Sequence, residues 1–120
     1  MDELIARLVA NVGVDRTAAE KSVGIILDFL TKEGPADKVQ ALIAQLPGAQ
    51  AVLEAQQAEA GGGFAMGGLM GAGTKMMAAG LSMGEVQGVT RETIAFVREK
   101  AGDDAIGEIV GAIPGLSQFI

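Results

Sequence analysis

The fold is decided by residues 15–35, which read DRTAAEKSVGIILDFLTKEGP. Asp15 is a favourable N-cap, and Gly34-Pro35 ends a helix in the manner of a C-terminal glycine followed by proline. Between these two signals, apolar residues cover most of the helix circumference: Ala19, Val23, Ile25, Ile26, Leu27, Phe29 and Leu30. A helix that is apolar on most sides is buried. We therefore expect residues 16–33 to form the central helix of an all-α fold.

Helical periodicity continues on both sides of this segment. A first helix, ending at Gly13, has the apolar stripe Leu4, Ile5, Leu8, Val9 and Val12. A short third helix has the i, i+3, i+4, i+7 stripe Val39, Leu42, Ile43 and Leu46. Pro47-Gly48 then predicts a type II turn, and residues 49–60, rich in Ala, Gln and Glu, predict a fourth helix.

The second half of the chain repeats this pattern after a shift of 67 residues. Gly13-Val14-Asp15 falls on Gly80-Leu81-Ser82, and Ser82 with Glu85 has the signature of a capping box. The other matching positions are Phe29 with Phe96, the stripe of the third helix with Ile106, Ile109, Val110 and Ile113, and Pro47-Gly48 with Pro114-Gly115. An internal duplication explains these matches, although any two helix–short helix–turn units share some of them.

The two units are separated by a glycine-rich segment. Seven of the thirteen residues from 61 to 73 are glycine, and helix formation there costs about 7 kcal/mol relative to alanine. We expect residues 61–68 to be a loop, and a helix to begin at Leu69 or Thr74 and end before Gly80. We therefore expect a single domain of six or seven helices. It consists of a first helical unit, residues 1–60, the glycine-rich connection, residues 61–73, and a second helical unit, residues 74–120. Helices 16–33 and 83–101 pack on each other around Phe29 and Phe96.

The composition excludes several kinds of chemistry. The chain contains no His, Cys, Trp or Tyr, so it has no thiol nucleophile, disulfide, His-dependent triad or imidazole or thiolate metal site. A net charge of −6, with dispersed basic residues, disfavours nucleic acid as a partner. Gly73-Thr74-Lys75 has the wrong order for a phosphate-binding loop. We expect a protein that is not an enzyme and has no cofactor and no metal.

Two acidic groups are the remaining candidates for acid–base or cation chemistry. They are Glu33 with Asp37, and Asp103-Asp104 with Glu108. Both groups stand near predicted helix starts, where negative charge stabilises the helix dipole. We therefore interpret them as helix-capping residues.

Methionines offer a different kind of site, because five of the six lie between residues 66 and 83. Thioethers bind Cu(I), fill gaps in cores, or form adaptable binding surfaces, and no His or Cys supports copper here. A small domain with a mean hydropathy of +0.36 cannot easily bury all its apolar residues. The leading hypothesis is a self-associating or partner-binding contact surface formed by the Met/Gly-rich segment 64–83 and the apolar end of the chain. Its expected contact residues are Phe64, Met66, Leu69, Met70, Met76, Met77, Leu116, Phe119 and Ile120.

Two other functions stay open. A peripheral membrane protein would insert the glycine-rich segment into the bilayer surface. The uncharged run from Ala60 to Thr74 has 15 residues, fewer than the roughly 20 that span a bilayer, and no basic face attracts anionic lipid. A carrier of a small apolar ligand would hold that ligand between the two units.

The chain also carries motifs that resemble a known family. Residues 101–116 read AGDDAIGEIVGAIPGL, and residues 28–38 read DFLTKEGPADK ahead of Leu46-Pro47-Gly48. With the Gly/Met-rich centre, these motifs resemble a family of short bacterial helical proteins known only as a domain of unknown function. The resemblance implies an all-helical fold and no particular activity. Acidic residues in Met1-Asp2-Glu3-Leu4, where a secretory signal has basic ones, lead us to expect a cytoplasmic protein.

Overall fold

The computed structural model describes residues 2–46, 48–60 and 68–113 of the chain. Within these ranges the chain forms seven helices and no strand, which confirms the predicted all-α fold of six or seven helices. The helices are α1 Asp2–Asn11, α2 Arg16–Glu33, α3 Ala36–Gln45, α4 Ala49–Ala60, α5 Gly68–Ala78, α6 Met83–Ala101 and α7 Asp103–Ala112.

Helix α2 is the centre of the fold, as the sequence predicts. Every residue from Ser22 to Leu30 is buried, and α2 contacts α1, α3, α4, α5 and α6. The two long helices, α2 and α6, pack on each other, but α2 packs more extensively on α4 and α5. The core therefore surrounds α2 on nearly all sides.

The two ends of α2 are formed by different means. At its start, the Asp15 carboxylate accepts a hydrogen bond from the N–H of Ala18 at 2.8 Å, as expected for an N-cap. At its end, Gly34 has φ −92° and ψ 176°, so it does not adopt the left-handed conformation of a glycine C-cap. Glycine is needed here for space, because a Cβ would lie 2.8 Å from the Leu30 carbonyl oxygen and 3.2 Å from Cγ2 of Val39.

The turns that precede α2 and α6 are built alike. Gly13 and Gly80 both have positive φ, +89° and +104°, and the aliphatic residue after each glycine is buried. Asp15 and Ser82 then cap the following helix, each through a side-chain oxygen that accepts a backbone N–H. A glycine that ends one helix, followed two residues later by a capping residue, thus has the same structural role before α2 and before α6.

The short helices that follow also correspond. Helix α7 covers the residues of α3 shifted by 67, and both helices end with nearly the same backbone conformation. Leu46 has φ −103° and ψ 109°, and Ile113 has φ −107° and ψ 109°. Gly48 has φ +84°, and the N–H of Ala49 donates to the Leu46 carbonyl at 3.1 Å, as the predicted type II turn requires.

Helix α5 corrects the predicted connection. It begins at Gly68, one residue before the earlier of the two expected starts, so the last six residues of the predicted connection 61–73 are helical. Its packing on α2 and α6 provides tertiary stabilisation that offsets the poor helix propensity of glycine. The expected loop 61–68 lies outside the described residues except for Gly68, which is helical.

Candidate interaction surface

Two exposed methionines stand on either side of the turn between α5 and α6. Met77, in the last turn of α5, is 48% exposed, and Met83, the first residue of α6, is 55% exposed. Among the described side chains, the only other large apolar one exposed in this way is Val9, at 40%. We call Met77, Met83 and the turn 79–82 between them the methionine corner.

Two local motifs fix the backbone of the methionine corner. The N–H of Gly80 donates to the Met77 carbonyl at 3.0 Å, and the N–H of Leu81 donates to the Met76 carbonyl at 3.2 Å. This pair of bonds, with glycine at positive φ, is a Schellman motif, and Leu81 and Met76 supply its buried apolar pair. The chain therefore leaves α5 in one defined direction.

The start of α6 is fixed equally well by its capping box. The N–H of Ser82 donates to Oε1 of Glu85 at 2.8 Å, and the N–H of Glu85 donates to Oγ of Ser82 at 3.3 Å. Such a box holds the first helical turn in place. Met83 is thus presented to solvent from a rigid backbone.

The structure separates the predicted contact residues into three groups. Met77 is exposed as the hypothesis requires, whereas Met76 is 3% exposed and belongs to the core, so Met76 is wrong as a contact residue. Adjacent residues on a helix point about 100° apart, and α5 turns Met76 inward. The remaining predicted residues have no described side chain: Leu69 and Met70, which are in α5, and Phe64, Met66, Leu116, Phe119 and Ile120, which lie outside the described residues.

Met83 is an exposed methionine at the end of the segment 64–83 that the hypothesis takes as a contact surface. It was not named individually among the expected contact residues. The signal was present, because Met83 follows the Ser82 cap directly and the first helical position faces solvent when the cap is exposed. At 55%, it is the most exposed of the large apolar side chains in the described part of the chain.

An open groove of about 500 Å³ runs beside the corner, between the end of α1 and the first half of α6. Its lining residues are Asn11, Val12, Ser82, Gly84, Glu85, Gly88, Arg91 and Glu92. Gly88 allows α1 to approach, because a Cβ there would lie 3.2 Å from Cγ1 of Val12. At Gly84 a Cβ would meet no atom within 4 Å, so the groove is open at that end. Its mixture of polar and charged groups does not offer the apolar enclosure that a ligand carrier needs.

Ion pairs hold the α1 wall of the groove against α6. Arg7 approaches Glu99 at 2.6 Å and Glu92 at 3.8 Å, and Lys100 approaches Glu3 at 3.6 Å. The hydrogen bond that Arg7 donates to the Glu99 carboxylate is the main reason why the pKa of Arg7 is raised above its ordinary value. These pairs add to the packing of α1 on α6.

The acidic groups do not form a ligand site in the described residues. Neither α3 nor α7 has a side-chain cap bond, since Pro35 and Gly102 occupy the N-cap positions. Asp37, Asp103 and Asp104 lie in first helical turns, where they stabilise the helix dipole. Within the part of the chain that the structure describes, no cluster of three or more potential metal ligands occurs.

One observation concerns the relation of the chain to membranes. No helix in the described ranges is both long enough and apolar enough to cross a bilayer.

Comparison with known proteins identifies no relative: no protein-family model, curated protein or solved structure matches the chain. The resemblance to a family of short bacterial helical proteins stays a prediction, and the inference of function depends on the geometry of the methionine corner.

Proposed function

We propose that this protein is a non-enzymatic interaction module that associates reversibly with a second copy of itself through the methionine corner. The observation that carries the proposal is a difference between two equivalent turns. The position after the cap is Arg16 in the first half and Met83 in the second. Arg16 lies 3.2 Å from Asp2 and 3.4 Å from Glu20, in ordinary surface ion pairs. The turn therefore folds with a charged residue at this position, and folding does not require an exposed methionine there.

A contact between two copies fits the chemistry of the corner. In a two-fold dimer the same patch lies on both sides of the interface, so the patch must be complementary to itself. Methionine side chains meet this condition, because they are uncharged and adapt their shape to each other. The neighbouring groove is lined by Arg91 together with Glu85 and Glu92, so its rim contains both signs of charge. A patch of one sign would repel its copy in a protein whose net charge is −6.

The same observations predict a weak association. Burying the exposed half of one methionine contributes about 1 kcal/mol, and a two-fold contact buries four of them, or about 4 kcal/mol. Loss of rotational and translational freedom costs at least about 4 kcal/mol and largely offsets this gain, so the net affinity is low. We expect a dissociation constant on the order of 1 mM, which corresponds to about −4 kcal/mol.

Sedimentation velocity of matched variants tests the proposal. Met83→Arg introduces the residue that the first half carries at this position, and Arg16→Met makes the reverse exchange. Between about 10 μM and 1 mM the wild type shows a rising sedimentation coefficient, because the range reaches the expected dissociation constant. Met83→Arg stays monomeric over that range with an unchanged melting temperature, whereas Arg16→Met associates at least as strongly as wild type. A wild type that stays monomeric, or a Met83→Arg variant that associates equally, contradicts the proposal.

A further inference from the structure

Oxidation chemistry in this chain is confined to methionine by composition. Among its 120 residues there are six Met and no Cys, His, Trp or Tyr. The thioether is therefore the side chain here that a mild peroxide oxidises, giving methionine sulfoxide. Which thioethers react in the folded protein depends on which sulfur atoms a peroxide can reach.

The fold gives three methionines in one short segment very different access to solvent. Met77 and Met83 are 48% and 55% exposed, whereas Met76, directly beside Met77, is 3% exposed. Met76 is held in the core by the Schellman motif that forms the methionine corner. We propose that Met77 and Met83 are sites of reversible oxidation by peroxides, and that Met76 is protected by the fold.

The reaction is balanced without any metal or cofactor. A sulfur lone pair attacks one peroxide oxygen, the O–O bond breaks, and a sulfur–oxygen bond forms. The sulfur loses two electrons and hydrogen peroxide is reduced to water. A methionine sulfoxide reductase reverses the step with a dithiol, which becomes a disulfide while the oxygen leaves as water.

The consequence for association rests on the function proposed above. A sulfoxide is polar and accepts hydrogen bonds, so it replaces an apolar contact at the centre of the interface by a group that must be desolvated. Met77 and Met83 project from the rigid corner into solvent, so their oxidation leaves the core intact. Peroxide thereby converts the protein to a folded monomer, and reduction restores association.

Peptide mapping tests the sites directly, at a protein concentration low enough to keep the chain monomeric. Trypsin cleaves after Lys75 and Arg91, so Met76, Met77 and Met83 lie on one peptide whose fragment ions resolve each residue. In dilute hydrogen peroxide, Met77 and Met83 of the folded protein oxidise at least about tenfold faster than Met76, and urea abolishes the difference. Equal rates at the three residues in the folded protein overturn the proposal.

The double variant Met77→Leu, Met83→Leu tests whether oxidation at these two residues controls association. It keeps apolar side chains at the corner but has no sulfur there, so its sedimentation at high concentration is unaffected by peroxide. Loss of association in oxidised wild type, and not in the double variant, supports control by oxidation, and unchanged association of oxidised wild type overturns it. If untreated wild type is already monomeric at about 1 mM, the proposed self-association fails, while peptide mapping still decides the oxidation sites.

Discussion

The end of the central helix allows a stability prediction whose magnitude follows from the structure, for the substitution Gly34→Ala. Because Gly34 has φ −92°, alanine accepts the backbone conformation and by itself stabilises the protein by about 0.4–1 kcal/mol through the unfolded chain. The added Cβ, however, lies 2.8 Å from the Leu30 carbonyl oxygen and 3.2 Å from Cγ2 of Val39. Overpacking of this kind costs about 1–3 kcal/mol.

Relieving the clash at Gly34→Ala would itself cost free energy. The Leu30 carbonyl accepts a hydrogen bond from the Gly34 N–H at 2.8 Å, so moving it away weakens a bond that contributes about 1 kcal/mol. On the other side, Val39 is fully buried, and Cγ2 of Ile109 lies 3.6 Å from the new Cβ. The net expectation is a loss of about 1–3 kcal/mol in the free energy of unfolding.

Gly107→Ala is the matched control, because a Cβ at this exposed position of α7 meets no atom within 4 Å. It is expected to raise the free energy of unfolding by up to about 1 kcal/mol through helix propensity. Urea denaturation followed by circular dichroism at 222 nm compares both variants with wild type at equal m-values. A Gly34→Ala variant that is as stable as wild type, or more stable, refutes close packing at this position.

Three further predictions concern single side chains. Thr93 is fully buried and its Oγ1 has no hydrogen-bond partner, so Thr93→Val raises the free energy of unfolding by about 1 kcal/mol. Thr90→Val does not raise it, since Oγ1 of Thr90 donates a hydrogen bond to a backbone carbonyl at 2.8 Å. Urea denaturation of both variants measures the difference in free energy of unfolding. Ser82→Ala removes a cap and lowers the melting temperature by several degrees in calorimetry, equivalent to about 1 kcal/mol. Arg7→Met lowers stability by about 0.5 kcal/mol in low salt and less in 1 M salt. Because its pKa is raised, the Arg7 charge contributes at every pH below the ordinary arginine value and is lost only as pH rises through the raised one.

Local signals explain why most helix ends could be predicted from the sequence. Asp15 and the Ser82–Glu85 box act within one helical turn, so their cap bonds follow from residue type and spacing. Gly80 is similar, because a Schellman turn requires a residue that accepts positive φ. The burial of α2 was equally visible, since apolar residues cover most of its circumference.

The features that the sequence did not reveal depend on distant residues. The extended conformation of Gly34 reflects the approach of Val39 and Ile109, which belong to other helices. The helical conformation of residues 68–73, three of which are glycine, depends on the packing of α5 against α2 and α6, which glycine propensity alone does not indicate.

The candidate site was only partly predictable for a related reason. In α5 the apolar stripe is weak, because five of its eleven residues are Gly or Ala. Periodicity therefore did not distinguish Met76, which lies in the core, from Met77, which lies in solvent. Met83 could have been identified from its position directly after an N-cap, a local signal that the sequence contains.

Nuclear magnetic resonance of methyl-labelled methionine gives the most direct test of the methionine corner as a self-association surface. The six methionine methyl groups give separate probes, which Met→Leu variants assign one by one. On dilution from about 1 mM to 10 μM, the methyl resonances of Met77 and Met83 are predicted to shift progressively while that of Met76 stays constant. Constant positions for Met77 and Met83 over the whole series would contradict the account.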